Sequence, residues 1–167
     1  MGFVFFVACC IAGIFTSLPA EAALPKNSFA VLANGPSVQH NKSTEALITR
    51  QLLAKGYKVV DPKKLEAIKK DRIARLALAG DVDAILKLSS GHGATMIVVQ
   101  VEAGWPVVNE FKLYTGTSSL AVTVGAPSGS IIYADTVMGK QVGYTPDEAA
   151  QKSIESAATR AVAKMTE

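Results

Sequence analysis

The apolar positions of this chain fall into short runs with two different periods, and the alternation between them lays out a sheet with helices packed on it. Ser28-Phe-Ala-Val-Leu-Ala33 is a compact apolar run that stops at Asn34-Gly35-Pro36, a turn signal, and reads as a first strand. From about Ser43 the spacing becomes helical: Ile48 and Leu52 repeat with Leu47 and Leu53 beside them, and the pattern stops at Gly56, a C-cap residue. Tyr57-Lys-Val-Val60 follows as a short strand. Asp61-Pro62 then opens a helix, Asp as N-cap and Pro at the first helical position, where a missing N–H costs nothing. Leu65, Ile68, Ile73 and Leu76 share one face of that helix, but Lys69 and Arg72 fall inside the same arc. Either the two cations snorkel past the core or the helix breaks near Lys70-Asp71.

Gly80-Asp81 ends this stretch and caps a further helix, DVDAILKLSS, that closes at Gly91. Met96–Val101 has the β-branched density of a central strand. Ser118, Leu120, Val122 and Val124 alternate along another strand, and Ile131–Tyr133 forms a third, with Ala126-Pro127-Ser128-Gly129 as the hairpin turn. Residues 103–116 fit either a loop or an extension of the strand ahead of the hairpin. Thr145-Pro146-Asp147-Glu148 combines a capping hydroxyl, an N1 proline and two acids at the positive end of a helix dipole. The helix it starts carries Ala150, Ile154, Ala157, Ala158, Ala161 and Met165 on one face, small enough for close approach to a sheet. The order β-α-β-α-α-β-β-β-α predicts an α/β fold with a single mixed sheet of about five strands. The early crossovers supply parallel neighbours and the hairpin antiparallel ones.

The first 22 residues stand outside this scheme. GFVFFVACCIAGIFTSL is an unbroken apolar block, followed by Pro19 and Ala20-Glu21-Ala22, a small-x-small pattern of the kind a signal peptidase cuts. Residues 1–22 read as a signal peptide and 23–167 as one exported, periplasmic α/β domain. The missing Lys or Arg in the n-region leaves a weak N-terminal anchor, or a start further upstream, as alternatives. Phe6-Val7-Ala8-Cys9 is a poor copy of a lipoprotein box, which argues against an outer-membrane lipid anchor while keeping a lipoprotein as an alternative. Cleavage after Ala22 removes both cysteines, so no disulfide staples the domain and its stability rests on the core.

Charge and chemistry narrow the function. All 17 Lys and Arg lie beyond residue 22 against 13 acids, a formal +4. Lys63, Lys64, Lys69, Lys70, Arg72 and Arg75 crowd into one segment, a candidate contact for an envelope protein, an acidic cell-wall polymer or anionic lipid; export excludes nucleic acid as partner. The bland alternative is a solvated helix face. Trp105 and Tyr114 are candidate contact aromatics, with packing over a sheet edge as their alternative.

Gly91-His92-Gly93 follows a helix and precedes a strand, the reverse of a dinucleotide-binding loop, so the glycines read as a helix stop and strand entry and His92 as an incidental, solvated side chain. His40 and His92 alone do not make a metal site, and no serine sits in a nucleophile elbow. Asp81 with Asp83, and Asp147 with Glu148, each start a helix, where capping explains them. These readings assign no catalytic residue, no metal and no cofactor.

Three pieces carry a family resemblance: Lys-Gly-Tyr-Lys-Val-Val-Asp at 55–61, Gly93-Ala-Thr-Met-Ile-Val-Val-Gln-Val-Glu102, and Ser128-Gly-Ser-Ile-Ile-Tyr-Ala134 with the alanine-rich last helix. Together they resemble the periplasmic α/β domain of the curli secretion lipoprotein, the penicillin-binding-protein activator lipoproteins, the middle domain of flagellar assembly protein T and the amino-terminal domain of TolB. The resemblance spans about Ser28 to Met165 and implies a non-enzymatic envelope accessory protein, working by protein contacts in flagellar, secretion or cell-wall machinery. Without a long insertion to build transmembrane strands, it does not imply a secretion channel. The competing expectation is a small-molecule or polysaccharide binder, which an apolar pocket beside Trp105 would favour over an open basic face. The oligomeric state is not set by the sequence.

Overall fold

The computed structural model describes Leu24 and residues 27–167; the segment 1–22, read above as a signal peptide, lies outside the described residues. The elements run β1 (Phe29–Asn34), α1 (Val38–Ala54), α2 (Pro62–Lys70), α3 (Ala74–Leu78), α4 (Val82–His92), β2 (Thr95–Ala103), β3 (Val107–Val108), β4 (Tyr114–Gly125), β5 (Ile131–Gly143) and α5 (Pro146–Met165). They form one mixed five-stranded sheet with five helices, the predicted α/β class. β1 and β2 run parallel, from Phe29 opposite Thr95 to Asn34 opposite Gln100. β4 lies antiparallel to β2, and β5 antiparallel to β4 on its other edge. β3 continues along the β2 edge of β4, with Val107 opposite Thr115 and Val108 opposite Tyr114.

Membership of the sheet differs from the prediction in two places. Tyr57–Val60 makes only a single parallel bridge, Phe29 to Val59, held by Phe29 N–H to Lys58 C=O at 2.8 Å and Val60 N–H to Phe29 C=O at 2.9 Å. The segment is squeezed between Gly56, at φ 83°, and Asp61-Pro62, which turns the chain into α2 before a second pair can form. Its place among five strands is taken by β3, from the segment left open between loop and strand. The hairpin strands are also far longer than the apolar alternation suggests, because Thr115, Gly116 and Thr117 of β4 and Thr136, Gly139, Lys140 and Gln141 of β5 interrupt that alternation.

The helices keep the predicted caps with shifted bounds. α1 starts at Val38, a turn ahead of Ser43, because the Ser37 hydroxyl accepts from His40 N–H. The second helix does break, at Asp71, whose backbone leaves the helical region and whose carboxylate takes the Ile73 N–H at 2.9 Å. α4 runs through Gly91 to His92, so only Gly93, left-handed at φ 58°, is the stop. The buried Ser89 hydroxyl lies 2.6 Å from Ala94 C=O and 2.8 Å from Gly125 C=O, tying this corner to the end of β4.

Period-two alternation divides the sheet into two faces. Phe29, Val31, Ile97, Val99, Val101, Leu120, Val122 and Val124 pack with Ile48 and Leu52 of α1 and with the α5 stripe. Phe29 meets Tyr57 edge to face at 5.5 Å. Ala30, Leu32, Met96 and Val98 face the other way, against Ile68, Ala74, Ala77, Ile85 and Leu88 of α2–α4. α5 sits close enough to the hairpin that a Cβ on Gly143 would come within 2.6 Å of the Ala149 nitrogen. The α2–α4 layer stops short of the hairpin. Ala134, Thr136, Met138, Lys140 and Val142 of β5 are therefore exposed on that side. As the outer strand, β5 is partly blunted by its own neighbours: Asp135 accepts the Thr136 N–H at 2.7 Å, and Arg160 donates to Met138 C=O at 3.3 Å.

Candidate functional site

Two surfaces gather the side chains with no structural employment. The first is the basic corner of α2 and α3. Asp61 caps α2 by accepting the Lys64 N–H at 2.9 Å, and Ile68 is fully buried, which turns Lys63 and Lys70 outward and leaves Lys64 half-buried. Lys69 reaches across to Glu45 of α1 at 2.7 Å, and Glu45 also accepts the Ala33 N–H at 3.0 Å. Lys69 is thus a tie between α1, α2 and the end of β1.

At the break, one Asp71 oxygen takes the Ile73 N–H and the other lies 3.1 Å from His92 Nε2. Those two partners, the backbone first, hold the Asp71 carboxyl below its ordinary value. His92 is therefore not an incidental, solvated side chain; it is half-buried and clips the end of α4 to the α2–α3 break. Around this clip lies a cleft of about 610 Å³ lined by Lys69, Lys70, Asp71, Arg72 and Arg75. Among the described residues, Lys63, Lys64, Lys70, Arg72 and Arg75 have no carboxylate within ion-pair distance.

The second surface is the end of the sheet where β2 gives way to β3. Gly104 N–H bonds Thr117 C=O at 2.9 Å, and a Cβ on Gly104 would come within 2.7 Å of Thr117 Oγ1. The chain then swings out through Trp105-Pro106 before β3 rejoins β4. Beyond β3 the turn is organised by Asn109, whose side-chain oxygen accepts from Phe111 and Leu113 N–H at 3.0 Å each, with Lys112 left-handed at φ 60°. An Asx-type turn of this kind leaves the side chains at the tip without neighbours. Trp105 is 91% exposed and Phe111 74%, and Val107 and Val108 are exposed with them. Tyr144 and Val142 join them, because Val142 lies opposite Thr115 and hence in the same row as Val107. Val38, at the start of α1, is exposed too.

Tyr114 belongs elsewhere. It is a half-buried residue of β4, between Val108 and Gly143, and packs as part of the sheet. Sequence reasoning singled out Trp105 but not Val107, Val108, Phe111 and Tyr144, which are exposed at the same end of the sheet. The only signal was negative: apolar residues in 103–116 that follow neither period.

Behind Trp105 is a cleft of about 260 Å³, formed where α1 and α5 begin and lined by Ser37, His40, Pro106, Pro146, Asp147 and Ala150 among others. His40 lies past the end of β1 and His92 before the start of β2, at opposite ends of the parallel pair, so they cannot share a ligand. Asp147 and Glu148 sit in the first turn of α5, where Glu148 accepts the Tyr144 N–H at 2.7 Å and pairs with Lys152 at 2.7 Å. Lys152, then that N–H, holds the Glu148 carboxyl below its ordinary value. Asp81 likewise caps α4 by accepting the Ala84 N–H at 3.0 Å.

No family model and no curated protein matches this chain. Its fold is found in solved bacterial proteins. Lipoprotein GNA1162 from Neisseria meningitidis is similar at 18% identity and a TM-score of 0.52, over 83% of this chain and 99% of that one. A minor lipoprotein from Acinetobacter baumannii is 11% identical with a TM-score of 0.49, over 84% and 93% of the two chains. A PelC dodecamer from Paraburkholderia phytofirmans is 13% identical with a TM-score of 0.49, over 86% and 92%. The likeness to GNA1162 establishes a shared α/β fold, in keeping with the resemblance at that level. No described helix is long and apolar enough to cross a membrane.

Proposed function

We propose that this chain is a non-enzymatic accessory domain of the bacterial cell envelope, exported to the periplasm, that binds another envelope protein through the apolar end of its sheet. The observation that carries the reading is the company of Trp105: Val38, Val107, Val108, Phe111, Val142 and Tyr144 are all exposed and all lie at one end of the sheet. Scattered exposed apolar side chains are ordinary, but a concentration of them at one end of a sheet favours an interaction site. Trp and Tyr are also the residues that most often dominate binding energy when a partner desolvates them. The signal-peptide pattern of residues 1–22 supports export, and the fold shared with a bacterial lipoprotein supports an envelope role. Flagellar, secretion and cell-wall machinery remain its branches.

The test is chemical cross-linking of intact cells carrying a tagged chain, with mass spectrometry of the envelope fraction, beside a Trp105→Ser/Phe111→Ser variant. The reading expects a discrete set of envelope proteins that the variant loses while its far-ultraviolet circular dichroism stays unchanged. An identical set from both proteins contradicts it. The cleft behind Trp105 favours a second reading, a ligand-binding domain whose tryptophan closes over a small molecule or sugar. Trp105 is the chain's only tryptophan, so a ligand stacked on it changes the fluorescence of the purified protein without any partner present.

A further inference from the structure

We infer that the cleft at the α2–α3 break is a binding site for a phosphate group, distinct from the apolar end of the sheet and sharing no residue with it. Lys70, Arg72 and Arg75 all line this cleft of about 610 Å³. Among the described residues, none of the three makes a side-chain hydrogen bond or ion pair with the rest of the chain. The other two charged residues of the lining are already engaged. Lys69 is neutralised by Glu45 at 2.7 Å, and Asp71 is held by the Ile73 N–H and by His92. Lys70, Arg72 and Arg75 repel one another around one concavity, only partly offset by Asp71 in the same lining, and an anion bound among them relieves that repulsion.

The charge count selects the class of anion. A carboxylate carries one negative charge and two oxygens, leaving most of the positive charge unanswered. A phosphate monoester brings up to two charges and three terminal oxygens, and two guanidinium forks match its geometry. The volume falls within the range of ligand pockets and leaves room for the group that bears the phosphate. Backbone geometry keeps the cluster in place. The Asp71–His92 clip fixes the break, so Lys70 and Arg72 leave the chain on either side of a held residue.

The phosphate is offered either free in solution or on a lipid headgroup, and the experiment separates the two. Protein purified from the envelope fraction is titrated with inorganic phosphate by calorimetry at constant ionic strength, sodium chloride making the balance. In parallel it is sedimented with vesicles of phosphatidic acid, a phosphate monoester, and phosphatidylcholine. Arg72→Gln/Arg75→Gln is compared with Lys63→Gln/Lys64→Gln, which removes the same charge outside the cleft. Loss of each charge-assisted bond predicts at least about tenfold weaker binding for the first variant, and less than about twofold for the second. Phosphate binding with that pattern supports a soluble phosphate ligand; vesicle binding alone with the same pattern supports the headgroup. Equal losses in both variants reveal a diffuse charge effect and overturn the inference, as does failure of the wild-type protein to bind either probe.

Discussion

Gly139→Ala tests how the last helix is seated. Gly139 lies in β5 directly beneath α5, and a methyl group there would overlap the Ser153 carbonyl oxygen and come within 2.9 Å of the Ala157 nitrogen and 3.0 Å of its Cβ. The obstruction is helix backbone, so it is relieved only by lifting α5, which carries nine buried residues. Overpacking a tight site costs about 1–3 kcal/mol, and a backbone obstacle places this case near the upper end. Alanine is otherwise the better strand residue by about 0.5–1 kcal/mol, because glycine loses more conformational freedom on folding. The net expectation is a loss of about 2 kcal/mol, read as a urea midpoint lower by about 1 M with unchanged slope. Circular dichroism is the right signal, since Trp105 is already exposed in the folded protein. Gly91→Ala is the internal reference. That glycine is helical with nothing within 4 Å of its would-be Cβ, so alanine should gain up to about 1 kcal/mol. The sign decides: a Gly139→Ala midpoint at or above wild type would refute close seating of α5 on the hairpin.

Other predictions follow from the surface and its charges. Trp105→Ser/Phe111→Ser should leave the unfolding free energy from urea titration within about 0.5 kcal/mol of wild type, since neither side chain packs on the fold; a larger loss would mean that they belong to the core. Asp71, Asp135 and Glu148 are held below their ordinary values of 3.8, 3.8 and 4.5, so their stabilisation is present above those values and fades as the pH falls through the lower folded ones. Tyr133 moves the other way: burial first, then the Asp135 carboxylate, push it from 10.0 up to about 12. Its stabilisation is complete below pH 10 and is lost between there and about pH 12. Urea midpoints of Tyr133→Phe should lack this alkaline decline and keep the acid one. Asp135→Ser/Arg160→Ala removes both side chains that occupy backbone groups of β5, and should increase self-association in size-exclusion chromatography. An unchanged elution profile would show that the edge needs no such guard.

What the sequence made legible was local. Asp61-Pro62, Asp81 and Thr145-Pro146 each cap the helix they announce, because an N-cap is a contact within four residues. The strands of β1 and β2 were legible because both their faces are buried, leaving a continuous apolar run. β4 and β5 were legible only where both ends of the alternation were apolar. Past Ser118 and Tyr133 one face is polar or solvated, so their true length depends on each other and on the glycines under α5. Both candidate sites lay further out of reach. Trp105 was found by residue type, but its apolar company is assembled by the register of three strands. The basic segment was visible as charge, whereas the cleft depends on the Asp71–His92 clip, a contact between residues 21 apart. A histidine between two glycines offers no local sign of that partner.

Site-specific photo-crosslinking in intact cells tests the proposed contact surface most directly. A photoreactive residue replaces Phe111 at the apolar tip, or Lys87 on the exposed side of α4 as the control. The account predicts a discrete protein adduct in the envelope fraction from position 111 and none from position 87. No adduct at 111, or the same pattern from both positions, would contradict it.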